Sequence, residues 1–148
     1  MIEVITLISD VQMLTYVLQT AEMGCHGISA VRKCVSDSKV DGVLCEHLIK
    51  YGKLYHCAST MLKNRGEELV HISPMAKAMA KYSASRDLKR DASSSHIAEM
   101  MIKGNTMGVN KISRHIREYD GKDPNVEKLA RKMLDTNEEN IREKKDLL

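Results

Sequence analysis

Polar and apolar positions alternate along this chain with helical spacing almost throughout. The first run begins near Ser9, where Gln12 stands three residues on in the capping-box pattern and Ile8 and Met13 are placed as a hydrophobic staple. Its apolar stripe is Val11, Leu14, Val17, Leu18, Ala21, Cys25, Ile28 and Val35, and Ser36-Asp37-Ser38 ends it. A second helix is predicted over about 39–64, with Val40, Val43, Leu44, Leu48, Tyr51, Leu54, Ala58, Met61 and Leu62 on one side and Gly66 as its stop. So short a connection predicts antiparallel neighbours. After a connector at 67–72, Ser73-Pro74 starts a shorter helix to about Arg90, with Met75, Ala78, Met79 and Tyr82 on one face. The short polar run 91–95 breaks it. The last helix is predicted from Pro124 to about Lys145 behind Asp123, with Val126, Leu129, Ala130, Met133, Leu134 and Ile141 turned inward.

The stretch from Ser94 to Tyr119 is apolar around more of its circumference than any other, which predicts a buried central helix. Gly104 and Gly108, four apart on its stripe, predict close approach of a neighbouring backbone, each at about 1 kcal/mol of helix propensity relative to Ala. The expected architecture is all-α. Four long helices and an extra short helix before the third long one form a bundle domain at 9–148, and an apolar arm at 1–8 is expected to cover a bundle end or a dimer seam.

Composition adds an unusual core. The 148 residues are 43 % apolar with ten Met and neither Phe nor Trp, so the interior is aliphatic and thioether, which suits helix packing. The scarcity of aromatics and the interspersed charges, net +3, disfavour nucleic acid as a partner. Cys25, Cys34, Cys45 and Cys57 form no CxxC, no secretory signal is apparent, and no apolar run reaches 18 residues. The expectation is reduced thiols, a cytoplasmic location and no membrane span.

Polar residues on apolar faces carry the candidate chemistry. His47, Tyr51 and Tyr55 on the second helix, Asn105 and His115 on the fourth, and Asn137 and Asn140 on the last are expected to form a polar layer inside the bundle. Glu22 and His26 flank the first stripe and, with His47, are the candidate metal ligands. A di-iron or di-manganese bundle needs Glu-x-x-His pairs, and none is present. No phosphate loop appears, and adjacent His56 and Cys57 diverge on a helix.

The run SHIAEMMIKGNTMG at 95–108, with the helix order around it, resembles small uncharacterised bacterial proteins with a ferritin-like bundle. The resemblance implies a left-handed four-helix bundle with one long crossover. Two functional expectations follow. The leading one is a non-enzymatic bundle with no cofactor, acting by self-association as a homo-oligomer or by binding a protein partner. The other is a ferritin-like protein that binds iron or manganese through a divergent site.

Overall fold

The computed structural model describes residues 6–148, so residues 1–5 of the apolar arm lie outside the described residues. Five helices account for the fold: α1 (Asp10–Arg32), α2 (Ser38–Asn64), α3 (Pro74–Arg90), α4 (Ser94–Glu118) and α5 (Pro124–Lys145). Among the described residues there is no β-strand, only an isolated bridge between Ile8 and Tyr119.

Local chemistry sets the helix ends. Ser9 and Gln12 exchange side-chain and backbone hydrogen bonds at the start of α1 (Ser9 N to Gln12 Oε1 2.9 Å, Gln12 N to Ser9 Oγ 3.2 Å), and both staple residues, Ile8 and Met13, are buried. Asp37, Ser73, Ser93 and Asp123 cap the other four helices with their side chains. Gly66 takes φ 74°, a left-handed conformation that favours glycine and lets the chain leave α2. The first helix stops at Arg32, a turn earlier than its stripe predicts.

Pairings between helix ends give the directions. Arg32, last in α1, meets Asp41 near the start of α2 at 2.8 Å, so these two helices are antiparallel. Arg65 beyond α2 reaches Asp123 before α5 at 2.5 Å. The end of α4 returns to the start of α1: Ile8 N donates to the Glu118 carbonyl and Asp120 N to the Ile8 carbonyl, each at 2.8 Å, and the Tyr119 hydroxyl donates to the Asp10 carboxylate. The four long helices therefore run up, down, down, up, with 65–93 and the short α3 crossing between α2 and α4.

Three expectations about burial and packing are corrected. The buried central helix is α1, which buries Met13, Leu14, Val17, Leu18, Ala21 and Ile28, whereas α4 buries only Ile97, Ala98, Asn105 and Ile112. Much of the broad apolar surface of α4 lines an open space beside α1, and Met107 there is 67 % exposed. No backbone closes on its glycines: a Cβ at Gly104 would meet nothing within 4 Å, and one at Gly108 would meet the Asn137 side chain. On α3 the inward stripe is Ala76, Ala80, Ala84 and buried Leu88, so Met75, Ala78, Met79 and Tyr82 point outward. Small alanines let α3 lie close, and its methionines remain uncovered.

Candidate functional site

Helical spacing on α5 brings Val126, Ala130, Met133, Asn137, Asn140 and Lys144 onto one buried stripe. The first half of the stripe is apolar and the second half polar. Facing it, α2 offers His47 and Tyr51 one turn apart, and α4 offers Asn105.

These side chains form a connected network. Tyr51 Oη donates to Asn137 Oδ1 at 2.5 Å and accepts from Asn105 Nδ2 at 2.6 Å. Lys144 Nζ, in a residue only 1 % exposed, donates to Asn105 Oδ1 at 2.7 Å. Beside them His47 Nε2 stands 2.6 Å from Glu143 Oε2, and Lys50 Nζ lies 3.3 Å from both Glu143 and Glu139. The Asn137 Nδ2, both polar side-chain atoms of Asn140 and the His47 Nδ1 are buried without a partner.

Burial dominates the electrostatics. It lowers Lys144 from 10.5 to about 8, an effect reinforced by Lys50 and partly offset by Glu143. It also lowers His47 from 6.5 to about 4, with Lys144 pushing the same way and Glu143 opposing. His47 is therefore neutral near pH 7 and donates its Nε2–H to the Glu143 carboxylate, which leaves Nδ1 as a bare acceptor. Burial alone would raise Glu143, but hydrogen bonds to His47 and Lys50 outweigh it and hold the carboxyl below its ordinary value. Burial pushes the Tyr51 hydroxyl up.

The remaining candidates lie elsewhere. His115 is half-buried and stacks on Tyr16 of α1 (centroids 3.8 Å apart, planes 7° apart) with both ring nitrogens unpartnered. Tyr55 is half-buried, its ring 6.3 Å from that of His71. Glu22 is buried and accepts from His71 Nδ1 at 3.1 Å and Ile72 N at 3.3 Å, with Lys77 Nζ 2.8 Å away; these contacts pin the crossover to α1. His26 is exposed. The structure thus does not gather Glu22, His26 and His47. Among the described residues no three His, Cys, Asp or Glu side chains stand close enough to hold a metal ion.

Sequence reasoning missed Lys144 and its neighbour Glu143. The signal for Lys144 was present, since it continues the 126-130-133-137-140 spacing by one more turn. A lysine in the last turn of a helix is ordinarily explained by the helix dipole and solvent.

The network forms the floor of a cleft. Between α1 and α4, with Ile72 and Ala80 of the crossover beside them, lies a cavity of ≈670 Å³ floored by Tyr51, Asn105 and Asn137. Its walls carry Met23, Met100, Met101 and Met107, and Gly24, Gly27, Gly104 and Gly108 keep it open. Gly24 also permits close approach: a Cβ there would lie 2.8 Å from the Tyr51 ring.

The class so defined is an all-helical protein with a buried polar network beneath an open, methionine-walled cleft. No family model matches the chain, and no curated protein matches it. Its fold is similar to the crystal structure of a DUF305 fragment from Deinococcus radiodurans, with a TM-score of 0.72 over 93 % of both chains at 16 % identity. Identity that low speaks for the fold alone. No helix among the described residues is long and apolar enough to cross a membrane.

Proposed function

We propose that the protein acts by association, receiving an apolar partner group in the cleft between α1 and α4. The observation that carries this reading is the cleft itself: a concavity of ≈670 Å³ with apolar walls and a few convergent polar groups at its floor. Methionines line it, and their unbranched, polarizable side chains adapt to differently shaped partners. The unpartnered Asn137 Nδ2 adds a buried donor at the floor.

The up, down, down, up order with one long crossover supports a ferritin-like reading of the bundle. Four free thiols, Cys25, Cys34, Cys45 and Cys57, support a reducing, cytoplasmic setting. The outward stripe of Met75, Met79 and Tyr82, each more than 60 % exposed, favours self-association as a second mode. Light scattering that finds only monomer at high concentration removes that mode.

Gly104→Leu tests the cleft, because its new side chain enters open space and the fold has no reason to fail. Nile red, a neutral apolar dye, should fluoresce strongly with the wild-type protein and at least tenfold less with G104L at unchanged helical circular dichroism. Equal fluorescence from both proteins, or none from the wild type, overturns the reading.

A further inference from the structure

The chemistry of the cleft is graded along its length. Because α1 and α4 are antiparallel, Tyr16 meets His115 at one end, and Ile28 approaches Met100 and Met101 toward the other. On α4 the lining runs from Met100 to Arg114, about 21 Å at the helical rise. The 100–101 end is apolar. At the opposite end stand Lys111 and Arg114, both exposed.

No carboxylate lines the cleft. Beneath the floor the Lys144 ammonium is held on Asn105, and the Glu22 carboxylate behind Ile72 is paired with Lys77. Midway, the Asn137 Nδ2 is buried, unpartnered and close to where a Gly108 Cβ would be, so the floor presents a donor and not an acceptor. The long apolar trough ending in two cations matches a molecule with a hydrocarbon tail and an acidic head.

We propose that the cleft binds a single-chain anionic amphiphile, a fatty carboxylate or the acidic head and one chain of a lipid. Its tail lies along Met100 and Met101, and its head group pairs with Lys111 and Arg114. This rests on the cleft being the binding site. An apolar lining about 21 Å long with both cations at one end matches an extended chain carrying a single acidic head, and an acidic partner helix is the occupant the test sets against it.

The test is displacement of Nile red from the full chain by oleate and by its neutral methyl ester, with the wild type, the double variant K111Q/R114Q, and G104L. Oleate should displace the dye at least tenfold more effectively than the ester from the wild type. The double variant should erase that preference, with each displacement referred to the variant's own dye affinity, and its melting temperature should remain as in the wild type. One-to-one oleate complexes in native mass spectrometry assign a free carboxylate. Cosedimentation with phosphatidylglycerol vesicles, lost in K111Q/R114Q, assigns a lipid head group. Equal displacement by oleate and ester, or displacement only by an acidic amphipathic peptide, overturns the anionic-amphiphile assignment and leaves the cleft as a binding site. Dye binding that G104L does not change overturns the cleft itself.

Discussion

The bundle has two unlike seams. Between α2 and α5, side chains of both helices meet and hold: His47 with Glu143, Lys50 with Glu139 and Glu143, Tyr51 with Asn137, and Arg65 with Asp123 just before α5. Between α1 and α4, the helices meet at the Ile8–Tyr119 end and at the Tyr16–His115 stack, then leave a cleft along the rest. The more polar seam is the closed one. Polar groups that find partners across a seam fix its geometry, whereas methionine and glycine supply contact area without direction. Apolar content alone therefore does not decide which helices close together.

Truncation should separate the two seams most widely. Met133→Ala, at a fully buried position of α5, is expected to cost about 2–5 kcal/mol of unfolding free energy. Met107→Ala, on the cleft side and 67 % exposed, should stay within about 0.5 kcal/mol. Comparable losses in urea melts would mean that the cleft is closed in solution.

A smaller, pH-dependent difference should come from the closed seam. Lys144 titrates near 8 when folded and 10.5 when unfolded, so between those values the unfolded chain binds more protons and stability rises with pH. The full gain is at most about 3 kcal/mol, reached above 10.5. On the acid side His47, near 4 folded and 6.5 unfolded, makes stability fall as pH drops from 6.5 toward 4, by a similar maximum. Lys144→Met should flatten the alkaline rise and lessen but not remove the acid fall, since burial is the larger cause of the His47 shift. An unchanged alkaline slope in K144M would show that Lys144 is solvated.

The smallest contrast concerns two glycines of the open seam. Gly104→Ala should stabilise by up to about 1 kcal/mol, since the added methyl gains helix propensity and meets nothing. Gly24→Ala should destabilise by about 1–3 kcal/mol, because its methyl would press on a Tyr51 ring fixed by Asn105 and Asn137. Thermal melts that move the same way for both substitutions would contradict the described spacing of α1 from α2 and α4.

How much was legible in the sequence depended on the range of the interaction. The starts at Ser9, Ser73 and Asp123 were readable because a cap and its partner lie within three residues of each other. Inward angles for His47, Tyr51, Asn105, Asn137 and Asn140 followed from spacing on their own helices. Which of those residues touch did not follow, nor did the placement of His115 against Tyr16, since each such contact joins helices distant in the chain. Glu22 and His26 illustrate the limit: one turn apart in sequence, they end with one buried against the crossover and the other in solvent.

By itself, then, the sequence determined the helices, their caps and the inward faces of α1, α2 and α5, because these depend on backbone hydrogen bonding and a 3.6-residue period. Only the tertiary structure decided that α1 and not α4 lies at the centre, that α3 turns its methionines outward, and that Lys144 ends beneath Asn105. Those outcomes depend on which of several apolar faces pair, a competition among contacts far apart in the chain that no local pattern encodes.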